Sequence, residues 1–93
     1  MKIGLFYQIQ VPKPWSEDSE AKRIWEALDQ IAYADEVGFH SVWFSEHHFR
    51  PEWSHNSAPD LTLAAISQRT SRIRLGIGVV LAPIHHPLHT ASR

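Results

Sequence analysis

Three short apolar runs alternate with two helical patterns, and this alternation restricts the fold more than any other feature of the chain. The runs lie at 2–7, 41–44 and 73–81 and carry the β-branched and aromatic residues that suit buried strands. Between them, 19–37 and 59–70 have apolar residues at three- and four-residue spacing, as amphipathic helices do. Strand–helix alternation predicts right-handed crossovers, so we expect an α/β fold with a parallel sheet.

Residues that begin and end helices support this assignment. Ser16 or Ser19 is expected to cap the first helix, and Gly38 follows that helix because glycine adopts a left-handed backbone at little cost. Residues 82–89 are expected to form a loop, and residues 90–93 the beginning of a further helix. The buried stripe of the first helix is expected to contain Ile24, Leu28, Ile31, and Ala32 or Ala34.

The 93 residues contain no linker or internal repeat, so we treat 1–93 as part of one domain. A three-stranded parallel sheet with two helices leaves open edges and buries a small core. We therefore expect the first part of a longer protein, or a chain that needs a partner.

The composition argues against several classes of function. Nine Lys and Arg residues against ten Asp and Glu residues give a net charge of −1, so we expect neither a nucleic-acid nor an anionic-membrane partner. No apolar run approaches the ~20 residues of a membrane-spanning helix. The absence of cysteine excludes disulfides, thiolate catalysis and Cys-ligated zinc, and fits a reducing cytoplasm, where we expect the protein to be located.

A carboxylate and two imidazoles directly follow the second strand, as Glu46, His47 and His48. Residues just past the carboxyl end of a parallel strand are where α/β proteins place ligands and catalytic groups. Adjacent residues of an extended chain point to opposite sides, so one imidazole is expected to face a pocket and the other to pack behind it. An imidazole beside a carboxylate suits general acid–base catalysis near neutral pH. Two polar side chains that merely close a loop explain the pair equally well.

Two other kinds of site remain open from the residues alone. The chain has seven His residues, which could serve a metal-dependent hydrolase, although no HExxH or HxH spacing occurs. Gly76 and Gly78 lie in the third strand without the third glycine and lysine of a phosphate loop. Glycines within a strand indicate a bulge or the close approach of a ligand to the backbone.

Two long segments carry a family resemblance. Residues 34–49, which end in Glu46-His47-His48-Phe49, resemble the opening signature of the bacterial-luciferase-like flavin-dependent monooxygenases. Residues 74–83, followed by His86-Pro87, resemble the third-strand signature of the same family. The segments occur in the family's order and separation, and the similarity covers essentially all 93 residues.

The resemblance implies an incomplete TIM (β/α)8 barrel, entered through its first βαβαβ portion. The family uses reduced FMN, supplied by a separate flavin reductase, and O2 to oxidise a small organic substrate such as an aldehyde or an alkane. A TIM barrel needs eight strands and about 250 residues, so the family's activity is expected of the parent protein. For this chain we expect a dimer, or a need for the rest of the barrel. A non-catalytic flavin-binding or subunit-interaction relative is the alternative.

The resemblance also implies roles for individual residues. His47 matches the catalytic histidine, which faces the flavin, and Glu46 and His48 lie beside it, Glu46 as a cofactor-binding residue and His48 as a support. Gly78–Val79 matches the family's non-proline cis peptide under the isoalloxazine ring, so both residues are expected to bind the cofactor. Phe6, at the end of the first strand, is expected to line the same cavity.

Overall fold

The computed structural model describes residues 1–92, which contain three β-strands, three α-helices and one short 3-10 helix. The expected order of strands and crossover helices is confirmed. The elements are β1 (Gly4–Tyr7), α1 (Ser19–Glu36), β2 (Ser41–Phe44), α2 (Pro59–Ser67), β3 (Arg74–Ile77), the 3-10 helix Ala82–Ile84, and α3 (Pro87–Ser92).

The three strands form one open parallel sheet in the order β1-β2-β3. Leu5 is opposite Val42, and Val42 is opposite Leu75, so the central strand is paired on both sides. The prediction of a parallel sheet is confirmed. Because the strands are parallel, their carboxyl ends lie along a single edge of the sheet.

Helices cover one face of the sheet and form the core with it. The buried apolar side chains of this core come from α1, β2, α2 and the segments that adjoin β1 and β3: Ile9, Ala27, Leu28, Ile31, Ala34, Val42, Phe44, Ile66 and Ile73. Each fully buried aliphatic or aromatic side chain contributes about 1.5–3 kcal/mol relative to an exposed one. The core therefore fixes the sheet to α1 and α2 and leaves the opposite face free.

The predicted stripe of α1 is correct at Leu28 and Ile31, and of the two alanines it is Ala34 that is buried, but the prediction is wrong at Ile24. Ile24 is exposed because α1 is longer than the sheet that it covers. An 18-residue helix extends about 27 Å, whereas a four-residue strand extends only about 13 Å. The first turns of α1 therefore lie beyond the sheet.

The second helix is shorter than expected, and only part of its apolar surface is buried. It ends at Ser67 and buries Pro59 and Ile66, whereas Leu61, Ala64 and Ala65 are exposed. The wide apolar arc of α2 therefore packs against the sheet along only part of its width.

The helix caps and the end of the chain also differ from expectation. Asp18 occupies the N-cap position of α1, because Ser16 and Ser19 bond to each other: the Ser16 N–H donates to the Ser19 Oγ at 2.8 Å. After α1, Gly38 has the predicted positive φ, of 91°. The predicted loop at 82–89 is wrong, because α3 already begins at Pro87, a residue that suits the first position of a helix. Arg93, the last residue of the expected helix 90–93, lies outside the described residues.

The third strand ends at Ile77, although residues up to 81 were expected to continue it. The Gly78 N–H makes a last bond to the Phe44 carbonyl at 2.8 Å, and the chain then leaves the sheet. Within residues 1–92, no helix is both long and apolar enough to cross a membrane.

Candidate active site

The segments that follow β2 and β3 meet at the carboxyl edge of the sheet. The backbone of Gly78 is bonded to that of Phe44, and the Leu81 N–H donates to the Glu46 Oε2 at 2.9 Å. We call the segments that follow β2 and β3 the β2 exit and the β3 exit. A side chain of the β2 exit therefore hydrogen-bonds the backbone of the β3 exit. This is the edge where parallel α/β folds place their functional groups.

Glu46 is the buried centre of this edge, with a residue exposure of 2%. Its Oε1 lies 2.8 Å from the His48 Nε2 and 2.6 Å from the His85 Nε2. Burial, the largest influence, would raise the pKa of Glu46, but the hydrogen bonds from His48, Leu81 and His85 together lower it. Glu46 is therefore a carboxylate at neutral pH. An ionised carboxylate only accepts hydrogen bonds, so we assign both imidazoles the Nε2–H form.

The two adjacent histidines differ in their surroundings. The His48 side chain turns inward to Glu46, whereas His47 is exposed. The His47 N–H donates to the Asn56 carbonyl at 3.1 Å, so its backbone is fixed while its imidazole stays accessible. The division of the pair between a pocket-facing and a supporting role stays a prediction, since both histidines line the same groove.

A groove of about 320 Å³ adjoins His47. The residues that line it come from the β2 exit and the loop before α2: His47, His48, Phe49, Pro51, Ser54, His55, Asn56 and Ser57. The Asn56 Oδ1 accepts a hydrogen bond from the Thr62 hydroxyl at 3.0 Å, while its amide nitrogen has no partner within the described part of the chain. The groove therefore presents imidazoles beside a largely apolar wall, and Asn56 is buried behind it.

The loop that forms this wall is anchored to the segment after β1. The Ser54 hydroxyl donates to the Gln8 carbonyl at 2.7 Å, and the His55 N–H donates to the Ile9 carbonyl at 2.9 Å. The Val11 N–H in turn donates to the Pro51 carbonyl at 2.8 Å. The segments that follow all three strands are thus joined by hydrogen bonds at the carboxyl edge.

The free face of the sheet carries aromatic side chains next to glycine residues. Phe6 and Trp43 are 57% and 47% exposed. A Cβ at Gly76 would lie 2.5 Å from the Trp43 ring, so that glycine is what lets the ring lie on the backbone of β3. A Cβ at Gly78 would lie 3.7 Å from Trp43 and 3.9 Å from Phe6. Phe6, Trp43, Gly76 and Gly78 form a flat apolar surface, which we call the aromatic bed.

The Gly78–Val79 peptide, at the carboxyl end of the bed, is cis, as the resemblance implied. Val79 is exposed there. Of the residues predicted from the sequence, Phe6 and Gly78 lie together on the bed, the buried Glu46 is bonded to His48, and both His47 and His48 line the groove. The contact of each with a cofactor stays a prediction.

Sequence reasoning missed Trp43 as a site residue and considered His85 only as a possible metal ligand. The signal for Trp43 was its register opposite Gly76, which becomes visible only when the strands are paired. The signal for His85 was its place after β3, at the same edge as Glu46. Within residues 1–92, no three His, Asp or Glu side chains are arranged to hold a metal ion.

Comparison with known proteins gives the family. The family model described as luciferase-like monooxygenase matches residues 1–93. The chain is 43% identical over 70 residues to a 4-hydroxyprotoasukamycin monooxygenase of Streptomyces nodosus subsp. asukaensis, covering 75% of this chain and 19% of the relative. It is 31% identical over 93 residues to the oxygenase component of a flavin-dependent trigonelline monooxygenase of Acinetobacter baylyi, covering 99% of this chain and 25% of the relative.

A solved structure agrees with these matches. The oxygenating constituent of 3,6-diketocamphane monooxygenase from Pseudomonas putida, in complex with FMN, superposes with a TM-score of 0.86 at 26% identity, covering 99% of this chain and 24% of that one. The chain thus spans about a fifth to a quarter of the length of these relatives. Its three parallel strands correspond to the first βαβαβ portion of a TIM barrel. With the family model matched from end to end, the chain belongs to the luciferase-like monooxygenase family.

Proposed function

We propose that this chain is the N-terminal part of an FMN-dependent monooxygenase that oxidises a small organic substrate with O2. The observation that carries the proposal is the pairing of the aromatic bed with an exposed imidazole at the same edge. His47 lies three residues after Phe44, whose carbonyl holds Gly78. A flat apolar surface and an exposed imidazole therefore lie at the same edge of the sheet.

The aromatic bed suits the isoalloxazine ring of FMN. Phe6 and Trp43 offer exposed aromatic surface, and Gly78 leaves the backbone open to close approach by a planar ring. Bound reduced FMN would supply the electrons for reaction with O2. Phe6, Trp43 and Val79 would exclude water from one side of the ring, and the rest of the cofactor site would come from other parts of the barrel.

His47 is our candidate catalytic residue. Its imidazole is exposed in the groove, while its backbone is fixed by Asn56. A ring nitrogen of His47 would accept or return a proton as the substrate is oxidised, which is the work of a general acid–base near neutral pH. Glu46 and His48 would support that imidazole from the buried side.

The substrate, the reductant and the location of the protein follow from the same proposal. We infer a small organic substrate of the aldehyde or alkane type, because the groove wall is largely apolar. The trigonelline relative is named as an oxygenase component, and by analogy we propose a separate flavin reductase as the partner that supplies reduced FMN. A cytoplasmic location agrees with the lack of cysteine.

The test is the substitution His47→Ala in the complete protein that contains this chain. We expect substrate oxygenation, measured by incorporation of ¹⁸O from ¹⁸O2, to fall by about 10²- to 10⁴-fold, while the Kd for FMN changes little. His86→Ala, at an exposed histidine near the same edge, is the matched control. An unchanged rate in His47→Ala would reject the catalytic assignment. FMN binding without any oxygenation by the unsubstituted protein would instead indicate a non-catalytic relative.

A further inference from the structure

The Glu46 cluster connects two segments that are distant in the sequence. His48 is two residues from Glu46, so its bond is local, whereas Leu81 and His85 are 35 and 39 residues away. Both long-range bonds end on the same carboxylate. One buried side chain thus holds the whole exit of β3, from its backbone at Leu81 to its side chain at His85.

We propose that His85 is a positioning residue of this site, which acts through Glu46. By donating from its Nε2 to the Glu46 Oε1, His85 fixes the segment 78–85 against the exit of β2. This contact sets the separation of His47 from the aromatic bed, because His47 directly follows Glu46 and Gly78–Val79 begins the held segment. The effect on oxygenation rests on the proposed function; the contact itself does not.

The chemistry of the cluster explains why His85 and Leu81 are not interchangeable. A carboxylate has about four lone-pair positions, and here Oε2 accepts the Leu81 N–H while Oε1 accepts both imidazoles. The Leu81 amide fixes one point of the backbone. The His85 bond fixes a second point, four residues later, and the two points together prevent rotation of the segment about either one.

Because the bond between His85 and Glu46 is buried, substitution of His85 is expected to have a measurable effect. The side chain of Glu46 is 1% exposed and that of His85 is 19% exposed, so water cannot freely replace a lost donor. Leucine at position 85 removes the donor and keeps an apolar side chain of moderate size. Glutamine keeps an amide N–H that can reach the position of Nε2, so His85→Gln is the conservative variant that should rescue.

The experiment uses the complete protein with three variants: His85→Leu, His85→Gln and the control His86→Leu. His86 precedes α3, is exposed, and accepts the Leu88 N–H at its Nδ1 rather than bonding to Glu46. We expect His85→Leu to weaken FMN binding about tenfold and to lower kcat by a similar factor. His85→Gln should recover FMN affinity to within about threefold of the unsubstituted protein, and His86→Leu should match it.

Two readouts without flavin separate this inference from the proposed function. In ¹⁵N NMR spectra, His48 and His85 should both carry the Nε2 proton. Hydrogen exchange at the Leu81 amide should accelerate at least about tenfold in His85→Leu, while exchange at the Ile73 amide, which is bonded to Asp35, stays unchanged. A protein that shows both signatures but does not bind FMN would refute the proposed function and leave the contact established.

Three results would overturn the positioning role. The first is a His85 side chain with its proton on Nδ1. The second is equal exchange at Leu81 in His85→Leu and the unsubstituted protein. The third is an FMN-binding enzyme in which His85→Leu leaves FMN affinity and kcat unchanged, or in which His85→Gln is as impaired as His85→Leu.

Discussion

Two buried carboxylates lie at opposite edges of the sheet and accept hydrogen bonds from different kinds of donor. Asp35, near the end of α1, is 5% exposed and accepts three backbone N–H groups, from Ser71 at 2.8 Å, Arg72 at 3.0 Å and Ile73 at 2.6 Å. Glu46, after β2, is buried to a similar degree but accepts two imidazoles and one backbone N–H.

The difference matches the roles of the two edges. Backbone amides are present whatever the side chains are, so Asp35 organises the turn before β3 as part of the scaffold. Imidazoles are titratable groups at the carboxyl edge, where parallel α/β folds place function. Burial and the number of hydrogen bonds do not distinguish a scaffold carboxylate from one that belongs to a site. The identity of the donors does.

The largest expected effect on stability is that of Asp35→Asn, at the scaffold carboxylate. The amide keeps one acceptor oxygen but turns an NH2 group toward backbone N–H donors, which leaves buried donors without partners. We expect the urea midpoint of unfolding, followed by circular dichroism, to fall by about 1 M. Asp29→Asn, at an exposed residue that contacts Arg69, is the control and should leave the midpoint nearly unchanged. Equal midpoints for the two variants would remove the scaffold role of Asp35.

Acid should destabilise the fold at both carboxylates. The pH at which each carboxylate loses its stabilising effect distinguishes the two edges. The pKa of Asp35 is lowered chiefly by the Ser71 N–H, with Ile73 and Arg72 adding to it against the opposing effect of burial. The pKa of Glu46 is lowered although burial opposes it. A carboxyl whose folded pKa is lowered stabilises the fold above its ordinary pKa, and this stabilisation disappears as the pH falls through the folded value.

Stability should therefore decline below about pH 4.5, the ordinary pKa of Glu, and more steeply below about 3.8, that of Asp. Urea midpoints measured between pH 3 and pH 7 check this. Glu46→Gln should flatten the upper part of the decline, and Asp35→Asn the lower part. A decline that is unchanged in both variants would assign the acid sensitivity to other carboxyl groups.

The sequence predicts much of the fold because local patterns determine it. The alternation of β-branched runs and helical spacing indicated β1, α1, β2, α2 and β3 in the correct order. Gly38 was placed correctly because only its own backbone conformation was in question. Errors occurred where a longer-range contact decides the outcome, as at Ile24, which a helix extending beyond its sheet leaves exposed.

The candidate site was predictable only in part for the same reason. Strand-end position indicated Glu46, His47 and His48, and family resemblance indicated Gly78–Val79. Neither signal pairs Glu46 with His85, because a contact across 39 residues depends on how two loops leave the sheet. Asp35 was equally hidden: its three donors lie 36 to 38 residues away.

The smallest expected effect concerns Arg72, a charged side chain that reaches the Asp35 turn. The Arg72 Nη2 donates to the Asp35 carbonyl at 3.0 Å and to the Glu36 carbonyl at 3.3 Å. A cation at the last carbonyls of a helix is stabilising, but Arg72 is exposed, so salt screens much of the effect. We expect Arg72→Gln to lower the urea midpoint by about 0.2 M at low ionic strength and by less in 0.5 M salt.

Arg74→Gln is the matched control for Arg72→Gln, because Arg74 is also exposed and begins β3 two residues later. It should leave the midpoint within error at both salt concentrations. If Arg72→Gln instead cost as much as Asp35→Asn, the turn would depend on its guanidinium, and Asp35 would resemble Glu46 in relying on a side-chain donor. A small, salt-sensitive effect would leave the backbone amides as the donors that matter, and with them the distinction between the two edges.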